Sequence, residues 1–225
     1  MIIAKPVRML VSAALFAATA TASLSEAQAL EAGDFLVRLR GVGVIPTGDS
    51  DNFSPNLTTA GVEAQPMGVP ELDLTYMITD EIGLELIATT TPHDIDGTGS
   101  IAGLGDVGDV WLLPPTLLAQ YHFLPGQKLR PYIGAGINYT VAYAEDVDSS
   151  LENVLGPTDL EIDNSVGWAV QAGVDWMLDE RWSVNLDMKY ISISPDATLE
   201  TATTRDTTEV DINPIIFGVG IGYRF

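Results

Sequence analysis

Eight stretches of the chain alternate apolar and polar residues with a period of two. In Phe35–Ile45 (FLVRLRGVGVI), Phe35, Val37, Leu39 and Ile45 take one face and Arg38 and Arg40 the other. Glu71–Thr79 sets Leu72, Leu74, Tyr76 and Ile78 against Glu71, Asp73, Thr75 and Thr79. The pattern recurs in Ile82–Thr90, Leu112–Phe123, Arg130–Val141, Val166–Leu178, Trp182–Ile193 and Ile212–Phe225. A helix would scatter these charges around its axis, so each stretch is predicted to be a strand. The connections alternate in length. Asp80-Glu81, Leu124–Lys128 and Asp179–Arg181 are tight turns, whereas the segments after the first, third, fifth and seventh strands are long, polar and rich in Gly, Asp, Ser and Thr. Short turns at one end and long loops at the other predict an all-β, eight-stranded antiparallel up-and-down barrel, and strands of this length cross a bilayer when tilted.

A soluble barrel of lipocalin type shares the alternation, but its interior is apolar. Here Trp182, Val184, Leu186, Met188 and Tyr190 share one face of the seventh strand, opposite Ser183, Asn185, Asp187 and Lys189. Aromatic residues gather at strand ends (Phe35, Tyr121, Phe123, Trp176, Trp182, Tyr223, Phe225), as a membrane-interface girdle requires. The apolar faces therefore meet lipid and the polar faces line the lumen. The chain ends on Phe217, Val219, Ile221, Tyr223 and Phe225, an alternation like the signal that barrel assembly machinery reads.

Other features fix the compartment. Lys5 and Arg8 precede the apolar run Met9–Ala20, and Ala27-Gln28-Ala29 follows, the three-part layout of a secretory signal peptide. Residues 1–29 are expected to be removed, leaving residues 30–225 as a single barrel domain. The chain has no cysteine, which excludes thiolate metal sites and a cysteine nucleophile. Its formal charge of −21 opposes nucleic-acid binding, while 46% hydrophobic residues exclude a solvated acidic tail protein. The acids concentrate in the long segments: residues 144–164 hold seven and no Lys or Arg. That field should repel anionic lipid headgroups unless divalent cations bridge them.

With these residues in place, the chain resembles the OmpW family of small outer-membrane barrels. The matching segments are Leu113–Phe123 (LPPTLLAQYHF), Arg130–Thr140 (RPYIGAGINYT), Trp182–Ile191 (WSVNLDMKYI) and Gly218–Phe225 (GVGIGYRF). Adjacent prolines inside a strand are rare and make the first the most specific. The resemblance implies an eight-stranded barrel with a hydrophobic internal channel, passing small apolar molecules across the outer membrane of a Gram-negative bacterium. Its partners would be outer-membrane lipid, lipopolysaccharide, the assembly machinery and small hydrophobic solutes.

Strand direction sorts the lumen by height. Val42, Val44, Ile87 and Leu112, with Pro114, Ile191, Ile193 and Ile216, fall in its extracellular half and are the candidate ligand contacts. Arg38, Arg40, Glu85, His122 and Arg130, with Asp175, Asp187, Lys189 and Arg224, fall below them and are expected to form a paired polar plug, because eight strands leave an interior that side chains nearly fill. A greasy funnel open to the outside, blocked below, would release its cargo sideways. Pro114 and Pro115 each lack a backbone donor and face opposite neighbours, so they weaken the wall at one level or mark a bulge. The competing expectation is a closed structural or surface-interaction barrel with acidic loops.

No catalytic, metal or cofactor site is expected. His122 is a plug hydrogen-bonder and His93 sits at a loop entrance. Asp94-Ile95-Asp96-Gly97 begins like a calcium loop, but position 12 is Gly105 rather than Glu, and a Gly-rich solvated turn is expected there.

Overall fold

The computed structural model describes residues 29–48 and 50–225. The signal-peptide segment falls almost wholly in residues 1–28, outside the described residues. Among the described residues, eight strands close a barrel: β1 (Phe35–Ile45), β3 (Met67–Met77), β4 (Ile82–Ala88), β7 (Thr116–His122), β8 (Leu129–Val147), β10 (Ser165–Met177), β11 (Trp182–Ile191) and β14 (Ile215–Arg224). Each pairs antiparallel with the next, and β14 returns to β1 with Leu36 opposite Arg224 and Ile45 opposite Ile215. Closure leaves these eight strands without a sheet edge, which is what a hydrocarbon solvent without hydrogen-bonding groups demands.

The predicted faces hold. Leu39, Leu72, Leu74, Leu84, Leu86, Ile133, Leu186 and Val219 point outward, while the charged side chains of the same strands are buried inside. At the short-turn end the aromatics pack in pairs, Phe35 on Tyr76 and Trp182 on Tyr223, with ring centroids 4.9 and 4.8 Å apart.

The long segments depart from expectation. Instead of solvated loops they form an ordered cap of six further strands: β2 (Ala60–Ala64), β5 (Thr91–Gly99), β6 (Asp106–Leu113), β9 (Thr158–Ile162), β12 (Asp196–Thr201) and β13 (Arg205–Glu209), with the short helix α1 (Ser149–Leu155). Strands β2, β5 and β6 extend the barrel wall upward against the top of β8. Strands β9, β12 and β13 make a separate sheet, tied to the first long segment by bridges Ser50↔Val210 and Ser54↔Thr207. The buried carboxylate of Asp206 accepts from the backbone N–H of Asn56 and of Leu57. The cap carries its own alternation. Asp159, Glu161 and Glu200 face water, and Leu160, Ile162 and Leu199 face inward. One apolar cluster runs from Val42, Ile87 and Ile216 in the barrel to Phe53, Leu151 and Leu199 in the cap. The expected open funnel is therefore covered, and much of the chain's apolar content lies beneath the cap.

Two further corrections follow from the pairing. The fourth predicted strand, Leu112–Phe123, is two strands, β6 and β7, separated at Pro114-Pro115. The Asp94–Gly99 segment is part of strand β5 rather than a turn, with a register shift against β6 between Ile95 and Asp96, so Asp94 and Asp96 lie along one strand instead of wrapping around an ion.

Candidate functional site

The lower lumen is packed with charge. Arg38 on β1 donates from Nη2 to Asp175 (2.7 Å) and from Nη1 to Asp73 (3.1 Å) and Thr75 (2.9 Å). Two residues on, and so on the same face, Arg40 reaches Asn185 (2.6 Å), Glu71 (3.0 Å), Asp73 (2.8 Å) and the Tyr132 hydroxyl (3.1 Å). Lys189 on β11 bridges Glu71 (2.5 Å) and Asp187 (3.2 Å), and Glu85 lies 3.4 Å from Arg38 and 3.5 Å from Arg40. These residues come from six of the eight barrel strands and are each 6% exposed or less. Burying so many ions is costly unless each is paired and its remaining lone pairs are met. Tyr132 donates to Asp187 at 2.8 Å and Asn185 to Asp175 at 2.8 Å, so neutral donors supplement the three cations facing five carboxylates.

Glycine makes the room for this layer. A Cβ at Gly220 would stand 2.2 Å from the Leu39 carbonyl oxygen and 2.9 Å from Arg40 Cγ, and one at Gly173 would meet the Tyr132 ring at 2.4 Å. The glycine alternation of β14 is thus the cavity into which Arg38 and Arg40 fold.

Six of the predicted plug residues, Arg38, Arg40, Glu85, Asp175, Asp187 and Lys189, belong to this one network. His122 stands beside it, hydrogen-bonded to Gln120 at 2.9 Å and against the Tyr132 ring. Arg224 and Arg130 sit lower: Arg224 Nε pairs with Asp34 at 2.9 Å, and Arg130 Nε donates to the Gln127 carbonyl at 3.0 Å. The predicted plug is therefore divided into three cations facing five carboxylates at the centre and a separate basic group at the periplasmic mouth. Tyr132 is the member that the sequence reading missed, although its position between Arg130 and Gly134 on an alternating strand already assigned it to the lumen.

Above the network lie two linked chambers. The inner one, a narrow cavity of about 20 Å³, is lined by all eight candidate ligand residues: Val42, Val44, Ile87, Leu112, Pro114, Ile191, Ile193 and Ile216. Glu71 forms part of its floor. The outer chamber, a cavity of about 40 Å³, lies under the cap between Phe53, Val62, Ile95, Leu151, Leu160 and Leu199. His93, Leu112 and Ile212 line both. His93 is buried rather than at an open loop entrance, because β5 alternates and turns it inward with Thr91 and Ile95. Burial pushes its pKa down to about 4, against the Gln65 carbonyl and the Asp94 carboxylate, which favour the charged form.

The wall beside the inner chamber is thin in hydrogen bonds. On the β8 side pairing stays in register past the prolines, and Tyr139 N–H donates to the Pro115 carbonyl at 3.1 Å. On the other side, the ladder stops after Ile87↔Thr116 and resumes only at Thr91↔Leu112. The register is the same on both sides of that break, so Thr89 stands opposite Pro114 with no bulge between. The bulge lies further up, at Asp109–Trp111, where Ala144 of β8 has φ 53. A second break separates β3 from the β4–β5 segment: pairing ends at Leu72↔Ala88 and resumes at Ala64↔Ile95, with Pro66, Pro70 and Pro92 inside the gap. Thr89 Oγ1 donates to the Pro70 carbonyl at 2.9 Å across it, and Gln65 N–H to the Asp94 carbonyl at 3.2 Å. Strip Thr89-Thr90 is thus poorly laddered on both sides.

A closed eight-stranded barrel, an ionic lower lumen and a terminal apolar alternation are what the comparisons meet. The OmpW family profile matches residues 31–225. The chain belongs to the OmpW family. It is 37% identical over 210 residues to outer membrane protein W of Vibrio cholerae, covering 91% of this chain and 95% of that one. The crystal structure of the outer membrane protein OprG from Pseudomonas aeruginosa superposes with a TM-score of 0.81 at 30% identity, covering 88% of this chain and 98% of that one. A more distant relative, 24% identical over 182 residues (80% and 77% of the two chains), is the dibenzothiophene metabolism operon protein PahQ of Pseudomonas aeruginosa. As an OmpW-family barrel, the protein resides in the outer membrane of a Gram-negative bacterium.

Proposed function

We propose that the protein is an outer-membrane channel for passive uptake of small hydrophobic molecules, which enter the apolar chambers from outside and leave sideways into the bilayer. The observation that carries this reading is the division of one lumen: an apolar chamber stands on a hydrogen-bonded ionic floor, and the wall beside the chamber, not beneath it, lacks ladder pairing. An apolar solute gains free energy on leaving water for such a chamber, about 25 cal/mol per Å², and would lose it again in the ionic layer. The bilayer is then the lower-energy exit. Val42, Val44, Ile87, Leu112, Pro114, Ile191, Ile193 and Ile216 are the proposed contacts. The relative named for an operon of dibenzothiophene metabolism, an apolar aromatic compound, is consistent with this solute class. The same reading takes lipid and lipopolysaccharide as neighbours, Phe217–Phe225 as the segment read by the assembly machinery, and residues 1–29 as removed on export. It assigns the chain no enzymatic role.

Uptake of N-phenyl-1-naphthylamine and of a small polar sugar into porin-poor Gram-negative cells tests it. Expression should speed entry of the amine and leave the sugar unchanged. Equal entry of both, or of neither, contradicts the proposal. The ordered cap over the lumen favours the second reading, a closed surface-interaction barrel, and unchanged amine entry is its signature.

A further inference from the structure

The two chambers meet at His93, Leu112 and Ile212. Only His93 is polar there, and it is 2% exposed. Its Nε2 lies 3.2 Å from Thr91 Oγ1, whose hydroxyl donates onward to the Leu112 carbonyl at 3.4 Å. Its Nδ1 has no partner of normal hydrogen-bond geometry among the described residues, and the Gln65 carbonyl that favours the charged ring does not meet that geometry. An apolar passage would be better packed and less costly with leucine at this place, since a buried nitrogen without a partner forfeits its hydration. The walls beside it are apolar, with Phe53, Ile95 and Val110 on one side and Ile193 and Ile216 on the other; the polar lining residues are Thr91, already bonded to the ring, with Thr89 and Glu71 in the inner chamber and Glu63 in the outer.

We propose that His93 is a specificity residue of the path, selecting apolar molecules that carry a hydroxyl over hydrocarbons of the same shape. The inference rests on the reading of the lumen as a route for apolar solutes. A hydroxyl both donates and accepts, so it satisfies Nδ1 in either imidazole tautomer. Because burial holds the ring neutral at pH 7, a carboxylate gains no ion pair there and still pays its full desolvation. The selected class is therefore the alcohols and phenols.

The test uses the full chain in lipid nanodiscs with 2-naphthol and naphthalene as probes, each binding isotherm corrected for partition into empty nanodiscs. The expected preference for 2-naphthol is about three- to tenfold, the yield of one net hydrogen bond. His93→Phe should remove the preference and keep naphthalene binding, while His93→Gln should retain most of it. In the wild-type protein, 2-naphthol should move the His93 ring nitrogen resonances and naphthalene should not. The signal lost in His93→Gln distinguishes this ring from that of His122, and this measurement serves even where His93→Phe does not fold. Equal affinity for the two probes, an unchanged preference in His93→Phe, or unmoved ring resonances overturn the role of His93 and leave the apolar route standing. Binding of neither probe overturns both.

Discussion

Two halves of one lumen, built from the same eight strands, solve opposite problems. In the lower half the chain holds itself together through ions: Arg38, Arg40 and Lys189 cross-link five carboxylates, and glycines on β10 and β14 fall back to let them in. In the upper half Val42, Ile87, Ile191 and Ile216 meet apolar side chains of the cap, and among the described residues no comparable ionic network ties the strands there. The ionic half is specific and rigid because removing any partner leaves an orphaned charge. The apolar half is non-directional, so its contacts can be exchanged for those of a solute at little cost. The difference teaches where a passage can exist: floor and gate are distinguished by interaction type rather than by shape.

The largest effect should come from breaking the floor. Arg40→Met leaves Glu71, Asp73 and Glu85 short of a cation, and the variant should lose about 3–5 kcal/mol in urea unfolding from lipid vesicles. It should also admit ions in planar-bilayer recordings where the parent does not. Gly173→Leu drives a side chain into the Tyr132 ring and should cost about 1–3 kcal/mol, with the same ionic leak. Both would erase the contrast between the halves from below.

Changes in the upper half should act on solutes before stability. Ile216→Asn places an amide in the inner chamber and should weaken binding of an apolar probe about tenfold, read by isotherms in nanodiscs, with ion conductance unaltered. The last effect is confined to the cap and depends on pH. His93 is neutral when folded, with its pKa depressed to about 4 from an ordinary value near 6.5. The unfolded cap binds the proton more readily, so its stability is full above about pH 6.5 and is lost as pH falls toward 4. At pH 5 the loss approaches about 2 kcal/mol, seen as faster amide exchange in β2 and β5. Replacing His93 with leucine should flatten that dependence.

The barrel was legible in the sequence because its strands are long and alternate cleanly, so that Arg38 and Arg40 define a face before any neighbour is known. Height along the strands then separated the chamber from the floor, and eight candidate contacts from five predicted strands line one cavity. The cap was not legible. Thr158–Ile162 and Arg205–Glu209 are five-residue strands in which polar residues outnumber apolar ones, and such segments look like loops until their partners are known. His93 was hidden for the same reason, since only the pairing of β5 with β6 turns it inward. Tyr132 was overlooked although its parity was available, because an aromatic on a membrane strand suggests the lipid girdle. The prolines were legible as a weakness, but the second wall break, at Pro66, Pro70 and Pro92, depends on strands that the loops were not expected to form.

The central claim is that apolar solutes leave through the wall at Thr89 and Pro114. The chain has no cysteine, so Thr89→Cys with Pro114→Cys creates a lone pair across the break. Entry of N-phenyl-1-naphthylamine into cells carrying this variant should match the parent under reduction and fall to the level of cells without the protein once the disulfide forms. Undiminished entry through the cross-linked wall would contradict the account.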